Sequence, residues 1–129
     1  LGFRQQEVLQ HGHSIECRLN AEDPANDFMP SPGVVTEAVF PSGPGVRVDT
    51  HIEAGSVVPP NYDSLLAKLI VHGSDRADAV QKMQQALTRC ELAGVVTNVK
   101  LLQRVLAEPA FVQGGATTAL LPAMLVKGV

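Results

Sequence analysis

The chain has 129 residues, 45% of them hydrophobic, with ten Lys and Arg against thirteen Asp and Glu for a net charge of −3. That length suits one domain, able to bury roughly two thirds of the surface its unfolded chain exposes. Scattered basic residues, few aromatics and no tryptophan exclude a nucleic-acid face built on a charged stripe or on stacking platforms, and no apolar run reaches the roughly 18 residues of a membrane span.

The opening, LGFRQQEVLQ, has neither an initiator Met nor the basic-then-apolar pattern of a secretory leader, and the chain is expected to be a piece of a longer protein. HSIECRLN (13–20) alternates strictly. A strand there places Ile15, Cys17 and Leu19 on one face and Ser14, Glu16, Arg18 and Asn20 on the other. Arg18 is then either a solvated charge or a group aimed at a partner. NAEDPANDFMPSPG (20–33) reads as a loop of several turns, with Glu22 and Asp23 as turn formers and caps. VVTEAVF (34–40) and VRVDTHIE (46–53) are β-prone runs around PSGPG, a pattern that predicts a hairpin. After the connection AGSVVPPNYD (54–63), SLLAKLIVHG (64–73) predicts a strand or a short helix running into one.

Helical signals dominate from residue 74 onward. Ser74 or Asp75 is placed to cap a helix whose stripe is Val80, Met83, Leu87 and Cys90, with Gly94 as its stop. VVT (95–97) is a brief extended piece, and Asn98 caps a second helix with Val99, Leu102, Val105 and Leu106 inward and Pro109 at its end. FVQGGATTALLP (111–122) reads as a loop with a last helical turn. Strands first and helices after give a segregated α+β fold in a single domain.

Motifs for complete catalytic machinery are missing. There is no GxxxxGK[ST] phosphate loop and no GxGxxG after a strand. In HGH (11–13) the two histidines share a strand face, but no third ligand follows nearby, so a metal site is not expected. The two cysteines, Cys17 and Cys90, fall on apolar faces and read as buried thiols of a reducing compartment.

Five segments in order carry a family resemblance: GHSIECRLNAEDP (12–24), FMPSPGVV (28–35), GVRVDTHIEAGSVVPPNYDSLLAKLIVHG (45–73), GVVTNVKLL (94–102) and FVQGGATTALL (111–121). Together they resemble the C-terminal domain of biotin carboxylase, the ATP-dependent component of acetyl-CoA carboxylase and related enzymes, over about residues 5–121. The resemblance implies a small, mostly antiparallel β assembly, akin to a rudimentary barrel-sandwich hybrid, with helices packed on it. It also implies two upstream domains, nucleotide-binding-like and ATP-grasp, neither of which is in this sequence. The implied reaction activates bicarbonate with ATP and Mg²⁺ and moves the carboxyl group to N1′ of biotin.

By position, the family's catalytic arginine is Arg18, aimed at the ureido oxygen of biotin, with Glu16 on the same face to support it. Arg47 matches a position near the homodimer interface, although Pro44 stands where the family often has a bulkier residue. Tyr62, Asp63 and Lys68 are read as a polar network closing a loop onto the sheet. Thr118 matches a segment near the nucleotide, with a helix N-cap as its alternative role. The biotin-attachment motif, a lysine between two methionines, is absent, and PAMLVK (122–127) resembles it only superficially. The carrier and the carboxyltransferase are therefore expected as partners, the setting as cytoplasm or mitochondrial matrix, and the fragment as inactive alone. The alternative is a dimerisation or docking module of the same fold without catalysis.

Overall fold

The structure, a computed structural model, describes residues 2–126, so Lys127 at the end of PAMLVK lies outside the described residues. In chain order the elements are β1 (His13–Asn20), β2 (Glu22–Asp23), β3 (Met29–Pro30), β4 (Gly33–Val34), β5 (Glu37–Val39), β6 (Val46–Thr50), β7 (Val57–Val58), β8 (Leu65–Gly73), α1 (Arg76–Thr88), β9 (Glu91–Ala93), α2 (Val99–Ala107), α3 (Pro109–Val112) and α4 (Leu120–Val126). The class is α+β, as the sequence predicts.

The centre is a three-stranded antiparallel sheet ordered β1-β8-β6. Its inner face is the apolar half of each alternation: Ile15, Cys17 and Leu19 from β1, and Ala67, Leu69 and Val71 from β8. Helix α1 closes that face with Ala79, Val80, Met83, Ala86 and Leu87. The helix starts where Asp75 accepts a hydrogen bond from Asp78 N at 2.9 Å, while the Asp78 carboxylate accepts one from Ser74 N at 2.8 Å. An Asp78–Lys82 ion pair at 3.0 Å adds one turn of surface support.

Strand β8 also serves a second core. Leu19 pairs with Ala67, but Asn20 pairs with Leu65, so Leu66 is an extra residue on β8. Successive side chains of a strand point to opposite faces, so two neighbours can serve different cores. Ala67 joins the helix-covered core, and Leu66 joins Ala21, Val35, Ile52 and Val58 beneath the short ribbons β4–β7 and β5–β9.

Several expectations need correction. The hairpin across PSGPG does not form: β5 pairs with β9 and β6 pairs with β8. Residues 41–45 hold two prolines and two glycines at positive φ, Gly43 (136°) and Gly45 (72°), and the carbonyl of Gly45 accepts from His72 N at 2.8 Å. The segment thus delivers the chain onto β8 instead of folding it back on β5. Helix α1 ends at Thr88, so Cys90 lies beyond it and is half-buried, and Gly94 is not its stop. Gly94 instead follows β9 at φ +94°, where a Cβ would lie 2.0 Å from the Val34 carbonyl oxygen. On α2 the buried pair is Leu101 and Leu106. The tail from Pro109, expected as a loop with a last helical turn, holds two short helices, α3 and α4.

Candidate functional site

The outer face of the central sheet carries the polar half of the alternations. Register aligns two rows across it: Glu16, Ile70 and Arg47, then Arg18, Lys68 and Asp49. On β6, Arg47 closes a bidentate pair with Asp49, both bonds at 2.9 Å. That hydrogen bonding holds the Asp49 carboxyl below the usual carboxylate range, and the charges of Arg47 and Lys68 add to the effect.

Arg18 is different. It is exposed, and among the described residues no carboxylate lies within ion-pairing distance of it. Directly across the strand pair is another cation, Lys68. Like charges in such a position repel, so this site favours an anionic visitor. The expectation that Glu16 holds Arg18 fails: the two share a face, but no hydrogen bond or ion pair joins them. The spacing permits that contact without imposing it, because fixing two long side chains in water gains less than about 1 kcal/mol.

The backbone beneath Arg18 is held firmly from the far side. Asn98 occupies the N-cap position of α2 but makes no side-chain cap bond there, contrary to its expected role. Its Oδ1 accepts from Asn20 N at 3.0 Å and its Nδ2 donates to the Arg18 carbonyl at 3.1 Å. Its own N–H donates to the Asn20 carbonyl at 3.2 Å. Asn20 Nδ2 donates in turn to Glu22 Oε1 at 3.0 Å, and the Ser64 hydroxyl donates to the same oxygen. Glu22 is therefore the centre of a polar cluster, whereas Asp23 forms the expected turn by accepting from Ala25 N at 3.0 Å. Asn20 Oδ1 is buried with no partner among the described residues.

The other expected site residues lie apart from this cluster. Tyr62 is 81% exposed, and Asp63 uses its carboxylate locally on Leu65 N at 2.8 Å. Lys68 is half-buried in the sheet. These three do not form a buried network: Tyr62 and Asp63 are exposed and Asp63 bonds only locally. Arg47 stands exposed on β6, an edge strand. Thr118 is exposed in the turn before α4, and the local cap bond comes from Thr117, whose Oγ1 accepts from Ala119 N at 3.3 Å.

Sequence reasoning missed the strap that ties the tail to β1. The Arg76 guanidinium sits 5.1 Å from the Phe111 ring centroid and donates to the Phe111 and Val112 carbonyls. It also lies 3.2 Å from His13 Nε2. His72 Nε2 meets the His11 carbonyl at 2.9 Å, so both ends of HGH are used in packing contacts. Burial pushes the Cys17 thiol up to about 12, with Glu16 adding to it, and pushes Cys90 up to about 11. Neither is a thiolate at neutral pH.

The family model of the biotin carboxylase C-terminal domain matches residues 16–123. The biotin carboxylase of Nostoc sp. is 45% identical over 124 residues, covering 96% of this chain and 28% of its own length. That of Allochromatium vinosum is 47% identical over 125 residues, covering 97% of this chain and 28% of its own. Among solved structures, the biotin carboxylase domain dimer of Hydrogenobacter thermophilus 2-oxoglutarate carboxylase, in complex with MgADP, ADP and bicarbonate, superposes with a TM-score of 0.94 at 39% identity. It too is matched over 97% of this chain and 28% of its own length. The present chain spans under a third of each of these relatives, and it belongs to the biotin carboxylase C-terminal domain family.

Proposed function

We propose that the protein containing this chain carboxylates biotin at N1′ with ATP and bicarbonate, and that this chain supplies one wall of that site through Arg18. Bicarbonate attacks the terminal phosphate of ATP, giving carboxyphosphate and ADP. The carboxyl group then passes to N1′ as the proton of that nitrogen goes to the departing phosphate. Losing the proton drives negative charge onto the ureido oxygen. A guanidinium directed at that oxygen binds the charged form more tightly than the neutral one, which lowers the barrier. It also stays protonated at any working pH and presents a rigid fork of donors.

The observation that carries this reading is that Arg18, beside Lys68, has no ion-pair partner among the described residues, on a face where Arg47 is already committed to Asp49. Biotin on its carrier fits here as substrate, since its developing oxyanion meets the Arg18 guanidinium, which has no carboxylate partner among the described residues. Nucleotide and Mg²⁺ are assigned to the part of the enzyme outside this chain, which covers 28% of the length of its biotin carboxylase relatives. The chain by itself is therefore assigned no turnover. Arg47, exposed on an edge strand, is assigned to a homodimer interface, and Thr118, exposed in its turn, to the nucleotide side. A biotin carboxyl carrier and a carboxyltransferase are the partners this chemistry requires. Among the described residues no helix is long and apolar enough to cross a membrane; the proposed setting is the cytoplasm or the mitochondrial matrix.

In the full-length enzyme, Arg18→Ala is expected to lower ATP- and bicarbonate-dependent carboxylation of free biotin roughly 100- to 1000-fold. The thermal midpoint should hold. Turnover near the parent value would refute the assignment.

A further inference from the structure

We infer that Asn98 is a positioning residue for Arg18, acting as a one-residue substitute for a neighbouring β-strand; the inference rests on the catalytic reading of Arg18. Strand β1 has β8 on one side along its length, and the ladder slips between Leu19 and Asn20, immediately after Arg18. Support from β8 is weakest there, because a bulge interrupts regular pairing. On the opposite side, Asn98 bonds to the Arg18 carbonyl, the Asn20 N–H and the Asn20 carbonyl, at 3.1, 3.0 and 3.2 Å. A carboxamide has one donor group and one acceptor held in a plane, as a peptide group does. It therefore satisfies two outward-facing backbone groups of an edge strand simultaneously.

The same side chain forgoes the usual duty of a residue at a helix start. Asn is among the best N-cap residues, yet here no side-chain cap bond is made. Its hydrogen-bonding capacity goes instead to the peptide units on either side of Leu19, the first of which sets the direction of the Arg18 side chain. A small displacement of a reacting group is enough to cost a large factor in rate. Asn98 touches no substrate in this scheme and works only through Arg18.

Three forms of the full-length enzyme separate the outcomes: Arg18→Ala, Asn98→Asp and the two combined, assayed with ATP, bicarbonate and free biotin. Aspartate keeps an acceptor for Asn20, caps a helix as well as asparagine does, and removes the donor to Arg18. Asn98→Asp is expected to lower kcat for biotin roughly 10- to 100-fold while the KM for ATP and the thermal midpoint hold. In the Arg18→Ala background it should cause no further loss. Full turnover in Asn98→Asp, beside a crippled Arg18→Ala, overturns the inference and leaves the reading of Arg18 standing. So does an equal fold-loss in both backgrounds, since a merely structural residue acts without Arg18. Normal turnover in Arg18→Ala overturns the reading and the inference together. Asn98→Ser, a good cap too short to bridge both peptide units, repeats the cycle if the carboxylate unsettles the fold, and the same outcomes decide.

Discussion

On one face of the central sheet, Ile15, Cys17, Leu19, Leu69 and Val71 are closed over by α1, while on the other Glu16, Arg18, Lys68, Arg47 and Asp49 stand open to whatever approaches. The closed face is held by burial, which is non-directional and scales with the apolar area removed from water. The open face gains little from its own contacts, and one of its rows sets a cation against a cation. It also contains an internal contrast. Arg47 and Arg18 each have a carboxylate two residues away, yet one arginine is fully engaged and the other is not. An engaged arginine stabilises a strand surface, whereas an unengaged one is available for chemistry. On the proposed reading of Arg18, the same three strands separate folding from function by face.

This division is open to direct attack. The largest effect is expected on the open face: Arg18→Ala should remove nearly all biotin-dependent turnover and leave urea unfolding of this domain unchanged, because no internal contact is lost. The converse belongs to the closed face. Met83 is completely buried under the sheet, and Met83→Ala should cost about 2–5 kcal/mol in urea unfolding, with near-parent turnover per folded molecule. A stability loss in the first variant, or a turnover loss per folded molecule in the second, would break the comparison.

The smallest expected effect concerns Asp49. Its folded carboxyl is held below the usual range mainly by the hydrogen bond from Arg47. A lowered folded pKa means that the stabilisation is complete above the ordinary aspartate value of about 3.9 and is lost as pH falls through the lower folded value. Asp49→Asn should flatten that acid limb of the thermal midpoint. Because the pair is exposed, added salt should shrink the difference. An unchanged acid limb in the variant would show that the pair contributes nothing measurable.

How much of this was legible in the sequence depends on distance along the chain. Strand β1 and the stripe of α1 are local periodicities, and Val80, Met83 and Leu87 are buried where the spacing places them. Strand partners are not local: Glu37 finds Ala93 and Val46 finds Val71, and nothing within residues 34–53 encodes either choice. Strand β9 was missed for the same reason, since three residues after a helix carry no period of their own. At the site, alternation placed Arg18 on the outer face, and the family resemblance proposed its target. That no carboxylate among the described residues pairs with it required coordinates. Asn98, read as a cap, reaches residues 18 and 20, a contact that helix-start rules do not describe. Glu22 was read as a turn former because its acceptor duties to Asn20 and Ser64 arise from tertiary approach.

Strand β8 has a consequence for cooperativity. Leu66 and Ala67 are adjacent in one strand yet belong to different cores, and Phe40 and Leu92 pack against both. The two cores share walls, so they are expected to unfold together. Unfolding followed by far-ultraviolet circular dichroism and by exchange of the Leu66 and Val35 amides should trace one coincident transition; an earlier loss at Val35 would show that β8 does not couple the two.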